Sequence, residues 1–158
     1  MLEGLEEHTL NEQYPIRMPV YWGYRGESKR SLAMSDVSGR EVVVVIEKTP
    51  TRIEGLLMRI FKGPRVLQIP LREKNSILWQ LCDGSKTFAE ICEIMDSVFN
   101  EDISPVIQRT ALALEQLKEK RLLILVENPE NIVWSTEPLN IDPRSDHSLF
   151  EDLELEAY

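Results

Sequence analysis

"ILWQLCDGSKTFAEI", residues 77–91, decides the fold, because it holds a helix end, a turn and a helix start in one short run. Ile77, Leu78, Leu81 and Cys82 recur at the spacing that puts side chains on one face of a helix. Gly84 stands where a helix-ending residue has to turn left-handed, a conformation that glycine adopts without steric cost. Thr87 and Glu90 then form a capping box, in which the threonine hydroxyl and the glutamate carboxylate satisfy amides that the new helix leaves unpaired. Helices joined so tightly must share a core, so the stretch predicts a helix-turn-helix with Ile77, Leu78, Leu81, Cys82, Phe88 and Ile91 inside.

Downstream, Phe88, Ile91, Cys92, Met95, Val98 and Phe99 carry the second helix to about residue 99. Ser104-Pro105 reads as an N-cap followed by a proline in the first turn, where its missing N–H costs nothing. Ile107, Ala111, Leu114, Leu117 and Leu122 mark the third helix's apolar stripe, which ends near Arg121. "LLILV" (122–126) and "NIVWS" (131–135) flank a turn at Asn128-Pro129 and predict a hairpin.

Upstream, "RVLQIPL" (65–71) is short and strand-like, and Pro70 places it at a sheet edge or strand end. "REVVVVIEK" (40–48) is a strand, since β-branched valines are stiff at χ1 and favour a buried sheet. Between them Thr51 and Glu54 cap a helix over about 51–62, with Ile53, Leu56, Leu57, Ile60 and Phe61 on one face before Gly63-Pro64. The expected class is α+β: a winged helix-turn-helix-like domain with a small antiparallel sheet and a three-helix core over 41–135. An N-terminal arm (1–40) precedes it and an acidic tail (136–158) follows.

In the arm, "YPIRMPVYWGYRGESKR" (14–30) interleaves four aromatics with Arg17, Arg25, Lys29 and Arg30. Such a mixture can stack single-stranded nucleic acid, although an extended arm packing its rings on the domain is the plainer reading. The net charge of −9 is concentrated at the far end: residues 127–158 hold nine acids and one base, which leaves residues 1–126 at −1. The tail has too little apolar surface to offset the entropy of ordering and is expected to be mobile and separable, although its last residues, "LFEDLELEAY", could dock or fold back.

Catalytic signatures are sparse. The sequence has no glycine-rich phosphate loop, no G-x-S-x-G elbow and no closely spaced histidines, His8 and His147 lying near opposite ends. Cys82 and Cys92 are expected to be core residues, and no metal or other cofactor is implied. No apolar run approaches the roughly 20 residues of a membrane span. "MLEGLEEHTL" lacks the basic and apolar regions of a signal peptide, so a cytoplasmic, non-enzymatic protein is expected.

The run "IPLREKNSILWQLCDGSKTFAEICEIMDSVF" (69–99) resembles the PqqD family, named for protein D of pyrroloquinoline quinone biosynthesis. The matching features are Leu71 at the strand end, Leu81 with Asp83-Gly84 at the turn, and Thr87 with Glu90-Ile91, within a likeness covering about residues 41–126. Arg72 stands where the family has a capping Asn or Asp, and the helix at 51–62 is an insertion.

The resemblance implies a recognition element that binds the leader of a ribosomally made precursor peptide. It would present that peptide to a radical S-adenosylmethionine or other peptide-modifying enzyme. The peptide would add as a strand along Val66, Leu67, Gln68, Ile69 and Leu71 and lie against the third helix at Ile107, Thr110, Ala111 and Leu114, of which Leu114 is the better candidate for the core. The rivals are a winged-helix DNA-binding regulator, disfavoured by the charge and by a third helix that mixes Arg109, Lys118, Lys120 and Arg121 with Glu115 and Glu119, and a structural adaptor. An exposed edge also leaves a homodimer open.

Overall fold

The computed structural model describes residues 2–32, 34, 36–47, 66–145 and 147–158, and the helix expected at 51–62 lies outside them. The described chain is α+β. Its strands are β1 (Tyr14–Arg17), β2 (Tyr21–Arg25), β3 (Glu41–Glu47), β4 (Val66–Pro70) and β5 (Leu123–Val126). Its helices are α1 (Glu73–Leu81), α2 (Phe88–Phe99) and α3 (Val106–Glu119). The strands form two antiparallel sheets, one of β1 with β5 and one in the order β2-β3-β4.

The helix-turn-helix forms as its residues dictate. Gly84 has φ +85°, and the Thr87–Glu90 capping box closes with both hydrogen bonds present. The turn also seats β1: the Arg17 amide donates to Cys82 O at 2.8 Å, and a Cβ on Gly84 would stand 3.2 Å from Ile16 Cγ1. Glycine here therefore serves both the turn and the close approach of a strand. The third helix begins one residue later than expected, with Pro105 rather than Ser104 at the N-cap and no side-chain cap.

β3 explains its four valines. Val42 and Val44 join the helix-side core with Trp22, Ile77, Leu78 and Trp79, while Val43 and Val45 form a second cluster with Phe150. All four are 2% exposed or less, so the strand is covered on both faces, and each valine contributes roughly 1.5 kcal/mol or more by burial.

Three expectations are corrected. "NIVWS" is not a strand, and the expected hairpin is absent: β5 pairs instead with β1, Tyr14 opposite Val126 and Arg17 opposite Leu123. The arm is not separate, because it supplies β1 and β2, and Leu5 is buried in the core; a boundary at residue 40 cuts between paired strands. The tail is not a loose appendage. Phe150 is buried, stacks on Tyr21 with ring centroids 4.5 Å apart, and packs with Ile141, Leu149, Leu153 and Leu155 over Val43 and Val45. These apolar residues cover a sheet face that would otherwise be wet, which supplies the ordering energy that the acidic composition conceals.

Candidate functional site: an open strand edge

Among the described residues β4 pairs with β3 and has no strand on its other side. Its register is Val43–Pro70, Val44–Ile69, Val45–Gln68, Ile46–Leu67 and Glu47–Val66. The Leu71 amide donates to Val42 O at 2.8 Å. Inward and outward backbone groups alternate along an antiparallel strand. Ile69 and Leu67 therefore turn their amides and carbonyls toward β3, and Val66, Gln68 and Pro70 turn theirs to the open side. Pro70 sits where a missing N–H costs the ladder nothing. The edge thus offers the amides of Val66 and Gln68 and the carbonyls of Val66, Gln68 and Pro70.

Side-chain placement is equally specific. Directly opposite residues share a face, so Leu67 and Ile69 lie with Ile46 and Val44 on the helix side, where Ile69 packs partly against the core. Leu67 is 48% exposed, an apolar side chain beside open backbone. Val66 lies on the opposite face against the tail cluster, and Gln68 is exposed. Leu71 differs from the other four expected strand residues. It is buried, and its carbonyl accepts from Ser76 Oγ, which in turn accepts the Val42 amide, so α1 locks the strand's end.

The third helix gives a narrower surface than expected. Ile107, Thr110 and Leu114 are buried and Ala111 is partly so, while α3 packs chiefly on α2 and β5. These residues, Ala111 apart, are core, and the exposed apolar residue of this helix is Leu112, at 59%.

A second concavity, a cleft of about 370 Å³, is lined by Arg17, Tyr24, Asp36, Gln80, Asp83 and Glu137 among others. Its buried polar side chains, Arg17 and Gln80, are committed to the fold. Arg17, which burial holds below the usual arginine range, donates to the carbonyls of Trp79, Gln80 and Thr136 at 2.7–3.2 Å and lies over the Trp22 ring. Gln80 accepts from Tyr24 Oη and the Ser38 amide and donates to the carbonyls of Ser38 and Ser76. Both cysteines are buried and free, with burial pushing each thiol up to about 12, so neither is a thiolate at neutral pH. Among the described residues no group of three or more His, Cys, Asp or Glu could hold a metal ion, and no helix is long and apolar enough to cross a membrane.

Two residues whose roles sequence reasoning did not reveal, Arg17 on β1 and Gly23 on β2, organise the parts of the fold away from the β4 edge. Arg17 carries no pattern that would distinguish it from a surface arginine. Gly23, isolated between aromatics in a strand, does carry a signal, because a lone strand glycine marks close approach of another backbone. Comparison of the chain with protein-family models, curated proteins and solved structures returns no match.

Proposed function

We propose that this protein is a non-catalytic peptide-recognition module of PqqD-like, winged-helix-derived design. It takes an extended precursor peptide as an added strand beside β4 and presents it to a modifying enzyme such as a radical S-adenosylmethionine maturase. The observation that carries the reading is the edge of β4 that no strand covers among the described residues, with its proline turned outward and Leu67 exposed beside it. Strand addition draws affinity from backbone hydrogen bonds and selectivity from alternate side chains, so it calls for an edge and an apolar contact rather than for catalytic groups. The position of this strand immediately before the three helices agrees with the family resemblance in residues 69–99.

Two observations count against the nucleic-acid reading. Trp22 and Tyr24 are buried, so they cannot stack bases. The arginines around them are engaged internally: Arg25 with Glu41, Arg30 with Glu73, Arg40 with Glu156, and Arg17 with three carbonyls.

The test is recovery of partners from native lysate by tagged protein, run beside Gln68→Pro, which removes an edge donor, and Gln68→Ala as control. The proposal expects a short ribosomal peptide or a peptide-modifying enzyme with wild type and Gln68→Ala, and its loss with Gln68→Pro. Recovery of chromosomal proteins in a nuclease-sensitive manner would overturn it.

A further inference from the structure

The opposite edge of the same sheet is closed by the chain itself. On β2 the outward backbone groups belong to Trp22 and Tyr24. The Tyr24 amide donates to Glu156 O at 2.8 Å, the Glu156 amide donates to Tyr24 O at 2.9 Å, and the Leu139 amide donates to Trp22 O at 2.8 Å. Gly23 makes room for this contact: a Cβ there would stand 2.9 Å from Leu139 Cδ2, 2.9 Å from Leu155 Cβ and 3.1 Å from Glu156 O. Arg40 locks the seat, donating to Gly26 O, Tyr158 O and the Glu156 carboxylate.

We infer that Leu139 and residues 149–157 together are a tethered edge guard: seated on β2 they keep the chain monomeric, and released they open β2 to the β4 edge of a second copy. The reasoning is topological. Among the described residues β2 and β4 are opposite edges of one three-stranded sheet, and both present backbone that no other described strand pairs when the guard is away. Pairing β4 of one copy with β2 of another is head-to-tail, so it adds copies in a row or a ring instead of closing an isologous dimer. The occupant of an exposed β2 edge is thus already present in every molecule. The guard also carries Glu151, Asp152, Glu154 and Glu156, charges that repel a second copy of an acidic chain as it nears this edge. A consequence follows for β4: a strand bound there excludes the assembly, whatever that strand is.

Sedimentation velocity of full-length variants tests the inference. Gly23→Val fills the seat with a residue that suits a strand, and Glu156→Pro removes the amide that bonds Tyr24 without touching β2. Carried together, the two changes are expected to make the Tyr24 amide exchange rapidly and to raise the weight-average mass roughly twofold or more with concentration. Adding Gln68→Pro, which blunts β4, is expected to restore the monomer. A monomer at every concentration despite rapid Tyr24 exchange would overturn the inference, as would slow Tyr24 exchange in the double variant, since the seat on β2 would then not be what holds the segment.

Discussion

β2 and β4 flank the same central strand, yet among the described residues one edge is sealed and the other is bare. β2 places Gly23 between Trp22 and Tyr24, admits the backbone of residues 139 and 155–156, and has three outward groups paired with it. β4 places Gln68 between Leu67 and Ile69, ends in an outward proline, and meets no strand on that side among the described residues. The lesson is that edge exposure is specified residue by residue: glycine where a chain must approach, proline and a half-exposed leucine where the edge stays open.

The largest expected effect falls on the sealed side. Arg17 is 5% exposed and supplies four hydrogen bonds to the carbonyls of Trp79, Gln80 and Thr136, which tie β1 to the end of α1 and the start of the tail. Arg17→Met removes all four of these hydrogen bonds at a buried position and is expected to cost about 3 kcal/mol in urea unfolding. A loss below about 0.5 kcal/mol, the range of surface substitutions, would mean that the tail's anchor lies elsewhere.

Next comes Phe150→Ala, expected to cost about 2 kcal/mol, because the ring fills the outer cluster but sits at its margin. Hydrogen exchange sharpens the comparison here. The Tyr24 amide should lose protection while the Ile69 amide, which faces β3, keeps it; equal loss at both would show that the two edges are not independent. The smallest stability effect is expected at Leu67→Ser, within about 0.5 kcal/mol because the side chain is already half in water. The same change should weaken any peptide that depends on β4 by several-fold, and unchanged affinity by calorimetry would remove Leu67 from the site.

Much of the helical layer was legible because its signals are local. The Thr87–Glu90 capping box and the Gly84 turn involve residues three or fewer apart, and the structure has both. Pro70 likewise indicated an edge, and β4 lies at one. The β1–β5 pairing was not legible, since it joins residue 14 to residue 126 and leaves no short-range pattern. Nor was the tail's seat, because acidic residues outnumber the leucines that hold it, although the valine run contained the clue. A strand covered on one face alternates, and Val43 and Val45 would then have been polar.

The candidate edge shows the same division. Val66, Leu67, Gln68 and Ile69 could be named from sequence, but which of them offer backbone to a partner depends on register, and register is a long-range property. Reading the sequence alone, one would block the edge with proline at Leu67 or Ile69. The observed pairing makes those positions inward and moves the test to Gln68. Ile107 and Leu114 lay on an apolar stripe with Thr110 beside them, and such a stripe cannot report whether a groove or a core covers it; here it is the core.

The central claim, that β4 takes an extended peptide through its backbone, is tested most directly by selecting binders from a displayed library of random linear peptides on the full-length protein and titrating them against Gln68→Pro and Gln68→Ala. The account predicts that the selected peptides bind wild type and Gln68→Ala alike. It predicts that they lose about tenfold or more in affinity, roughly 1.4 kcal/mol, on Gln68→Pro, whose circular dichroism and melting stay close to wild type. Peptides that bind Gln68→Pro as tightly as wild type would contradict it.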